Sequence, residues 1–131
     1  MPSRPTDARG LRLRSVAEAL LALTLVALGW THGVLYVEGG SMEPALHAGD
    51  LIVYRRTGAV PVPGDLVVFE HRGTLVVHRV AGVLRDGALR TRGDANDVVD
   101  AEPVLASAVR GEVAFTFPVG RLVASLAQAD D

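Results

Sequence analysis

Ser41 is the first residue with chemistry to offer. It lies in VEGGSMEPALHAGDLIV (37–53), after two glycines and ahead of Met42, Glu43 and Pro44. Strand-forming residues flank it, 34–37 before and 51–54 after. Gly39 and Gly40 free the backbone and Pro44 stops a regular strand, so the serine sits at a bend. Its hydroxyl is a weak nucleophile until a base takes the proton. The sequence restricts that base: all 13 basic residues are arginine, which stays protonated, and lysine is absent. Cysteine is absent too, which removes thiol nucleophiles and disulfides. The proton acceptor must therefore be His32, His47, His71, His78 or a carboxylate. His78, in VVHRV, is the candidate base, and Asp94, in TRGDAN, is a carboxylate able to orient it. Each residue also has an ordinary reading: a turn serine, a half-buried strand histidine alternating with Val76 and Val80, and a turn aspartate.

Positioning such a group requires a framework, and from Val34 onward the pattern is β. DLIVY (50–54), DLVVF (65–69), TLVVHRV (74–80), GVLRDGALRTRG (82–93) and EVAFTF (112–117) are short runs rich in Val, Leu and aromatics. Gly, Pro and Asp punctuate them. No helical period persists after residue 40, which predicts a small, mostly antiparallel β domain. PVGRLVASLAQADD (118–131) is too short to span a membrane and is expected as a terminal strand or an amphipathic turn resting on one.

Asp86-Gly87 signals a two-residue hairpin loop. In that register Arg79 faces Asp94 and His78 faces Ala95, at the end of the hairpin away from its turn. An ideal register points Asp94 to the face opposite His78, and a bulge at Gly93 would re-aim it. Asp100 lies beyond the irregular ANDVV stretch, where it can reach the histidine only through a turn, or brace the loop by pairing with Arg79 or Arg92. The histidine partner is therefore expected to be Asp94, with the two labels open to exchange.

The N-terminal third has another character. Arg4, Arg9, Arg12 and Arg14 precede an apolar run, residues 15–36, in which only Glu18 and His32 are ionisable. As a helix this run would cover roughly 33 Å, enough for a bilayer core of about 30 Å. The expected organisation is a cytoplasmic segment (1–14), a transmembrane helix (15–36) and an extracytoplasmic β domain (37–131), the arginines holding the N-terminus in the cytoplasm. The rival is a cleavable signal peptide with an apolar core at 19–30 and a small-residue site at 27–29. A net charge of −2 carries no nucleic-acid signal.

GGSMEPAL, PGDLVVF, VVHRV and TRGDANDVVD, in this order, resemble the type I signal peptidases. The resemblance covers about residues 37–104. It is to the branch of the endoplasmic reticulum, archaea and some Gram-positive bacteria, which pairs the serine of an SMEP motif with histidine where the common bacterial branch uses lysine. The resemblance implies a membrane-anchored endopeptidase, localised to the cell membrane, that removes signal peptides from secretory preproteins after small residues. Ser41 would be the nucleophile and His78 the general base, with Asp94 and Asp100 in the family's two acidic positions. Gly39, Gly40, Met42 and Pro44 would shape the substrate site. Gly39 stands where relatives commonly carry a serine hydroxyl for the oxyanion, leaving that task to backbone N–H groups. No cofactor or metal is implied; the implied partners are secretory preproteins, membrane lipid and an accessory membrane subunit. A self-cleaving repressor-type peptidase would need a Ser–Lys pair, which this chain cannot form. The alternative is a non-catalytic, membrane-tethered β domain with a degenerate site.

Overall fold

The computed structural model describes residues 8–56 and 58–129; Arg4, Thr57 and the acidic pair Asp130 and Asp131 lie outside the described residues. The chain divides after Thr31 into two units. The first is helix α1, Ala8–Thr31. Within it, Arg12–Thr31 is long and apolar enough to cross a membrane. A helix suits apolar surroundings because it satisfies its own backbone polar groups. The hydroxyls follow suit: Thr24 donates to the Leu20 carbonyl at 2.8 Å and Thr31 to that of Ala27 at 3.0 Å.

The helix expected over 15–36 ends at Thr31, and His32–Tyr36 form strand β1 instead. The cause is tertiary pairing. Each residue of β1 pairs antiparallel with β2, Leu51–Arg55. Gly33 makes the fit possible, since a Cβ there would lie 2.2 Å from Cζ of Tyr54.

Four more strands complete the second unit: β3 Leu66–His71, β4 Thr74–Val83, β5 Leu89–Arg92 and β6 Val109–Phe117. They form one antiparallel sheet in the order β1-β2-β6-β3-β4-β5. The mostly β, antiparallel reading of the sequence is borne out. Alternation along the strands gives the sheet two apolar faces. On one, Ile52, Tyr54, Val68 and Val77 pack under Val37, Met42 and Leu46 from the segment before β2. On the other, Val67, Phe69, Val80 and Leu89 pack with Val104 from the segment after β5. His78 pairs with Val67 and so belongs to this second face.

Two expectations fail in instructive ways. The hairpin joining β4 to β5 has three loop residues, Arg85, Asp86 and Gly87: Leu84 and Ala88 pair across it, and Gly87 takes a φ of 83°. A register shift lies between Val80 and Gly82, not at Gly93. Arg79 consequently faces Arg92. The C-terminal segment is neither a strand nor a turn but a second helix, α2, Val119–Ala129. Val119, Leu122, Val123 and Leu126 recur at helical spacing and are all exposed, an amphipathic stripe that the β pattern upstream obscured. The fully buried Asp50 fixes its first turn, accepting from the Gly120 N–H at 3.0 Å and from the His47 N–H at 2.9 Å. Glycine is required at 120, since a Cβ would lie 2.1 Å from the Ala48 carbonyl oxygen.

Candidate active site

Ser41 stands on a loop locked from both ends. Val37 and Gly49 close its base, with Val37 N–H donating to the Asp50 carbonyl at 2.8 Å and Gly49 N–H to that of Val37 at 2.7 Å. Met42 and Leu46, each 1% exposed, plug the loop into the first core cluster. The residue beside the serine is thus an apolar anchor, and this fixes where the hydroxyl projects. A turn between Gly40 and Glu43 and a cis Glu43–Pro44 peptide shape the intervening backbone. From the other side the turn at 93–96 rests on the serine itself. The Ala95 N–H donates to the Ser41 carbonyl at 2.9 Å, and a Cβ at Gly93 would lie 2.5 Å from that oxygen.

Three side chains meet in line. Nε2 of His78 lies 3.2 Å from the Ser41 hydroxyl oxygen, and Nδ1 lies 2.6 Å from Oδ2 of Asp100. A carboxylate only accepts, which assigns the ring proton to Nδ1 and leaves the Nε2 lone pair facing the serine. Phe69 meets the imidazole edge-on, with centroids 6.1 Å apart at 71°, and restrains its rotation. The His78 side chain is 12% exposed and that of Asp100 25%, so the line is shielded but reachable.

Asp100 reaches this position because the chain after β5 turns back along it. The Asp100 N–H donates to the Thr91 carbonyl at 2.8 Å, and Leu89 and Val104 exchange both backbone bonds farther along. Asp94, expected beside His78, instead makes a two-point ion pair with Arg79 at 2.8 and 2.6 Å, and Arg79 also donates to the Gly64 carbonyl. The paired hydrogen bonds from Arg79 hold the Asp94 carboxyl below the usual carboxylate range and raise the guanidinium in return. Sequence spacing brought the right segment to the histidine but chose the wrong carboxylate. The three-residue loop and the displaced bulge account for the error.

The remaining candidates fall around a cleft of about 270 Å³. Gly39, Ser41 and Met42 line it, together with apolar residues of β1 and β4 such as Leu35 and Leu75. Gly40 and Pro44 stand in the turn beside it. A side chain at Gly39 would meet nothing within 4 Å. His47, the histidine nearest Ser41 in sequence, makes no hydrogen bond to it, and its Nδ1 is buried without a partner among the described residues. Among those residues no cluster of three or more His, Asp or Glu is placed to hold a metal ion. The residue that sequence reasoning passed over is Thr91, wholly buried, whose hydroxyl donates to Oδ2 of Asp100 at 2.6 Å. Its one sequence signal is the alternation of Leu89 and Thr91 with arginines in LRTR, which marks threonine as inward-facing.

The family model described as Peptidase S24-like matches residues 19–105. Among individual proteins, the human signal peptidase complex catalytic subunit SEC11C is 39% identical over 83 residues, covering 58% of this chain and 43% of its own. The catalytic subunit SEC11 of Chaetomium globosum is 36% identical over 76 residues, covering 53% and 44%. That of Pyrenophora tritici-repentis is 37% identical over 75 residues, covering 53% and 43%. The chain thus spans less than half the length of these relatives. The resemblance to the type I signal peptidases read from the short motifs is borne out by these matches.

Proposed function

The chain belongs to the Peptidase S24-like family, and on that premise we propose that it is a membrane-anchored serine endopeptidase that removes signal peptides from secretory preproteins. The observation that carries this reading is the continuous line Ser41–His78–Asp100. His78 Nε2 takes the Ser41 proton as Oγ attacks the carbonyl that follows the last signal-peptide residue. Asp100 holds the Nδ1–H and stabilises the imidazolium that results. The imidazolium then returns its proton to the departing amine, the new N-terminus of the mature protein. Water, deprotonated by the same histidine, hydrolyses the acyl-enzyme and restores the serine. Backbone N–H groups near Ser41 serve the oxyanion, since Gly39 brings no hydroxyl.

The cleft supports the substrate class. The segment before Ser41 and β4 both line it, a geometry suited to an extended peptide held by β-augmentation, and its apolar walls suit small apolar side chains. For the membrane, support comes from the apolar stretch Arg12–Thr31. The arginines preceding it favour a cytoplasmic N-terminus and an extracytoplasmic β unit. Within that unit, Val34, Val53 and Phe115 form one cross-strand row and Tyr36, Leu51 and Phe117 the next. Val34, Tyr36, Phe115 and Phe117 are all more than half exposed, and their apolar face suits contact with lipid. The relatives are named as subunits of a complex, which supports an accessory membrane subunit as a further partner. The test is the full chain in phospholipid vesicles, incubated with a preprotein, with the product's N-terminus read by mass spectrometry. Cleavage after a small residue, lost in Ser41→Ala, is expected; cleavage unchanged in Ser41→Ala overturns the reading.

A further inference from the structure

Thr91 and Asp50 are the polar side chains fully buried among the described residues. Asp50 is satisfied by two backbone N–H groups, those of His47 and Gly120, and makes no hydrogen bond to Ser41, His78 or Asp100. Thr91 is different. It sits on β5 opposite Val80, in the apolar layer that holds Leu89 and Val104, where an unbonded hydroxyl would be strongly unfavourable. Its hydroxyl spends its single proton on Asp100, and on Oδ2, the same oxygen that accepts the His78 Nδ1–H. Its main-chain carbonyl meanwhile accepts the Asp100 N–H at 2.8 Å. One residue therefore holds the carboxylate at both its backbone and its side chain.

We propose that Thr91 is a positioning residue of the hydrolytic site, a fourth member that fixes the Asp100 carboxylate in its bond to His78 and tempers its charge. The proposal rests on the peptidase reading and extends it by one step. An ionised carboxylate accepts and does not donate, so the hydroxyl must act as donor. A donor on Oδ2 draws electron density from that oxygen and weakens its pull on the imidazole proton. It also opposes rotation of the carboxylate away from the ring. Removing the hydroxyl should release both restraints. The Asp100–His78 bond would lose its fixed geometry, and the more basic carboxylate would stabilise the imidazolium further. Turnover then falls while the histidine holds its proton to higher pH. Substrate binding is untouched, because Thr91 does not line the cleft beside Ser41.

Several elements bring charged groups near His78. Asp100 lies on the returning segment and bonds the ring directly, while Asp94 in the turn at 93–96 interacts with His78 and is flanked by Arg79 of β4 and Arg92 of β5. A second cavity, lined by His78, Thr91 and Asp100 themselves, also holds His71 and Arg72, and Arg72 pairs with Glu102. Thr91→Val keeps the buried shape and alters none of these charges.

The test compares Thr91→Val and Thr91→Ala, which lack the hydroxyl, with Thr91→Ser, which keeps it, in the full chain. The expected result for Val and Ala is a kcat lowered roughly tenfold at unchanged KM, the scale of one hydrogen bond to a charged group. The acid limb of the kcat/KM profile should move to higher pH, and Ser should restore both. A second readout needs no activity: the downfield proton resonance of His78 Nδ1–H, followed by NMR in micelles. It should move in Val and Ala and hold its place in Ser. Wild-type values of kcat, pH profile and resonance in Thr91→Val and Thr91→Ala overturn the proposal, as does Thr91→Ser behaving like Thr91→Val. If the wild-type chain shows no Ser41-dependent hydrolysis, the peptidase reading falls by itself, and the resonance still decides whether Thr91 positions Asp100.

Discussion

Exchanging each of two aspartates for asparagine should separate support from chemistry. Asp94→Asn removes the charge from a two-point pair whose side chains are 16% (Asp94) and 37% (Arg79) exposed. A hydrogen bond to a charged group is worth about 1.5–3 kcal/mol, and exposure of the guanidinium discounts the pair to about 1–2 kcal/mol in all. For a unit of this size that is a fall in Tm of roughly 5–15 °C. The sign with pH follows from the lowered carboxyl of Asp94. Its contribution is fully present above the ordinary aspartate value of about 3.9 and is lost as pH falls through the lower folded value. The raised Arg79 would matter only in strong alkali. The Tm gap between wild type and Asp94→Asn should therefore be widest near neutrality and close in acid. Asp100→Asn should behave oppositely. Its bonds to His78 and Thr91 set a tautomer, and loss of the analogous carboxylate in a serine triad lowers kcat about 10⁴-fold with geometry intact. Urea or thermal melts across pH, alongside kcat on a short signal-peptide substrate, make the comparison. A stable but inactive Asp94→Asn beside a near-normal kcat in Asp100→Asn would refute the reasoning.

Gly93→Ala should lower kcat by at least roughly tenfold through displacement of the serine, because its methyl would meet the Ser41 carbonyl; kinetics with melting curves check this. Removing residues 1–31, and no more since β1 begins at His32, should leave short-peptide cleavage intact and slow cleavage of vesicle-embedded preproteins. Equal preprotein rates with and without α1 would contradict an anchoring role. Gly120→Ala should detach α2 from Ala48 and Asp50 and expose its amides to exchange, measurable by hydrogen–deuterium exchange, while the exchange of β3 and β4 stays unchanged.

What was legible in the sequence was local. Short apolar runs broken by Gly, Pro and Asp gave β2, β3, β4 and β6 within a few residues, and the absence of lysine pointed the serine toward a histidine. What was hidden depended on partners distant in sequence. The residues of β1 look like the tail of an apolar helix until β2 and the ring of Tyr54 are present to pair with them. The identity of the carboxylate beside His78 turned on one extra loop residue at Arg85 and a shift near Ala81, since side-chain direction reverses with each residue of slippage. Asp100 was reached only by a segment with no strand pattern of its own, held by one backbone bond to Thr91 and a reciprocal pair between Val104 and Leu89. The stripe on α2 was present in the sequence, at 119, 122, 123 and 126, but its short length and the β run before it concealed the helix.

The most direct test of the central claim, a Ser41 hydroxyl activated by His78, is covalent labelling with a fluorophosphonate probe, the modified residue being located by peptide mass spectrometry. The geometry predicts a single adduct on Ser41 in wild type, none in Ser41→Ala, a rate reduced at least a hundredfold in His78→Ala, and an unchanged rate in His47→Ala. Labelling that persists at the wild-type rate in His78→Ala, or that falls only in His47→Ala, would contradict it.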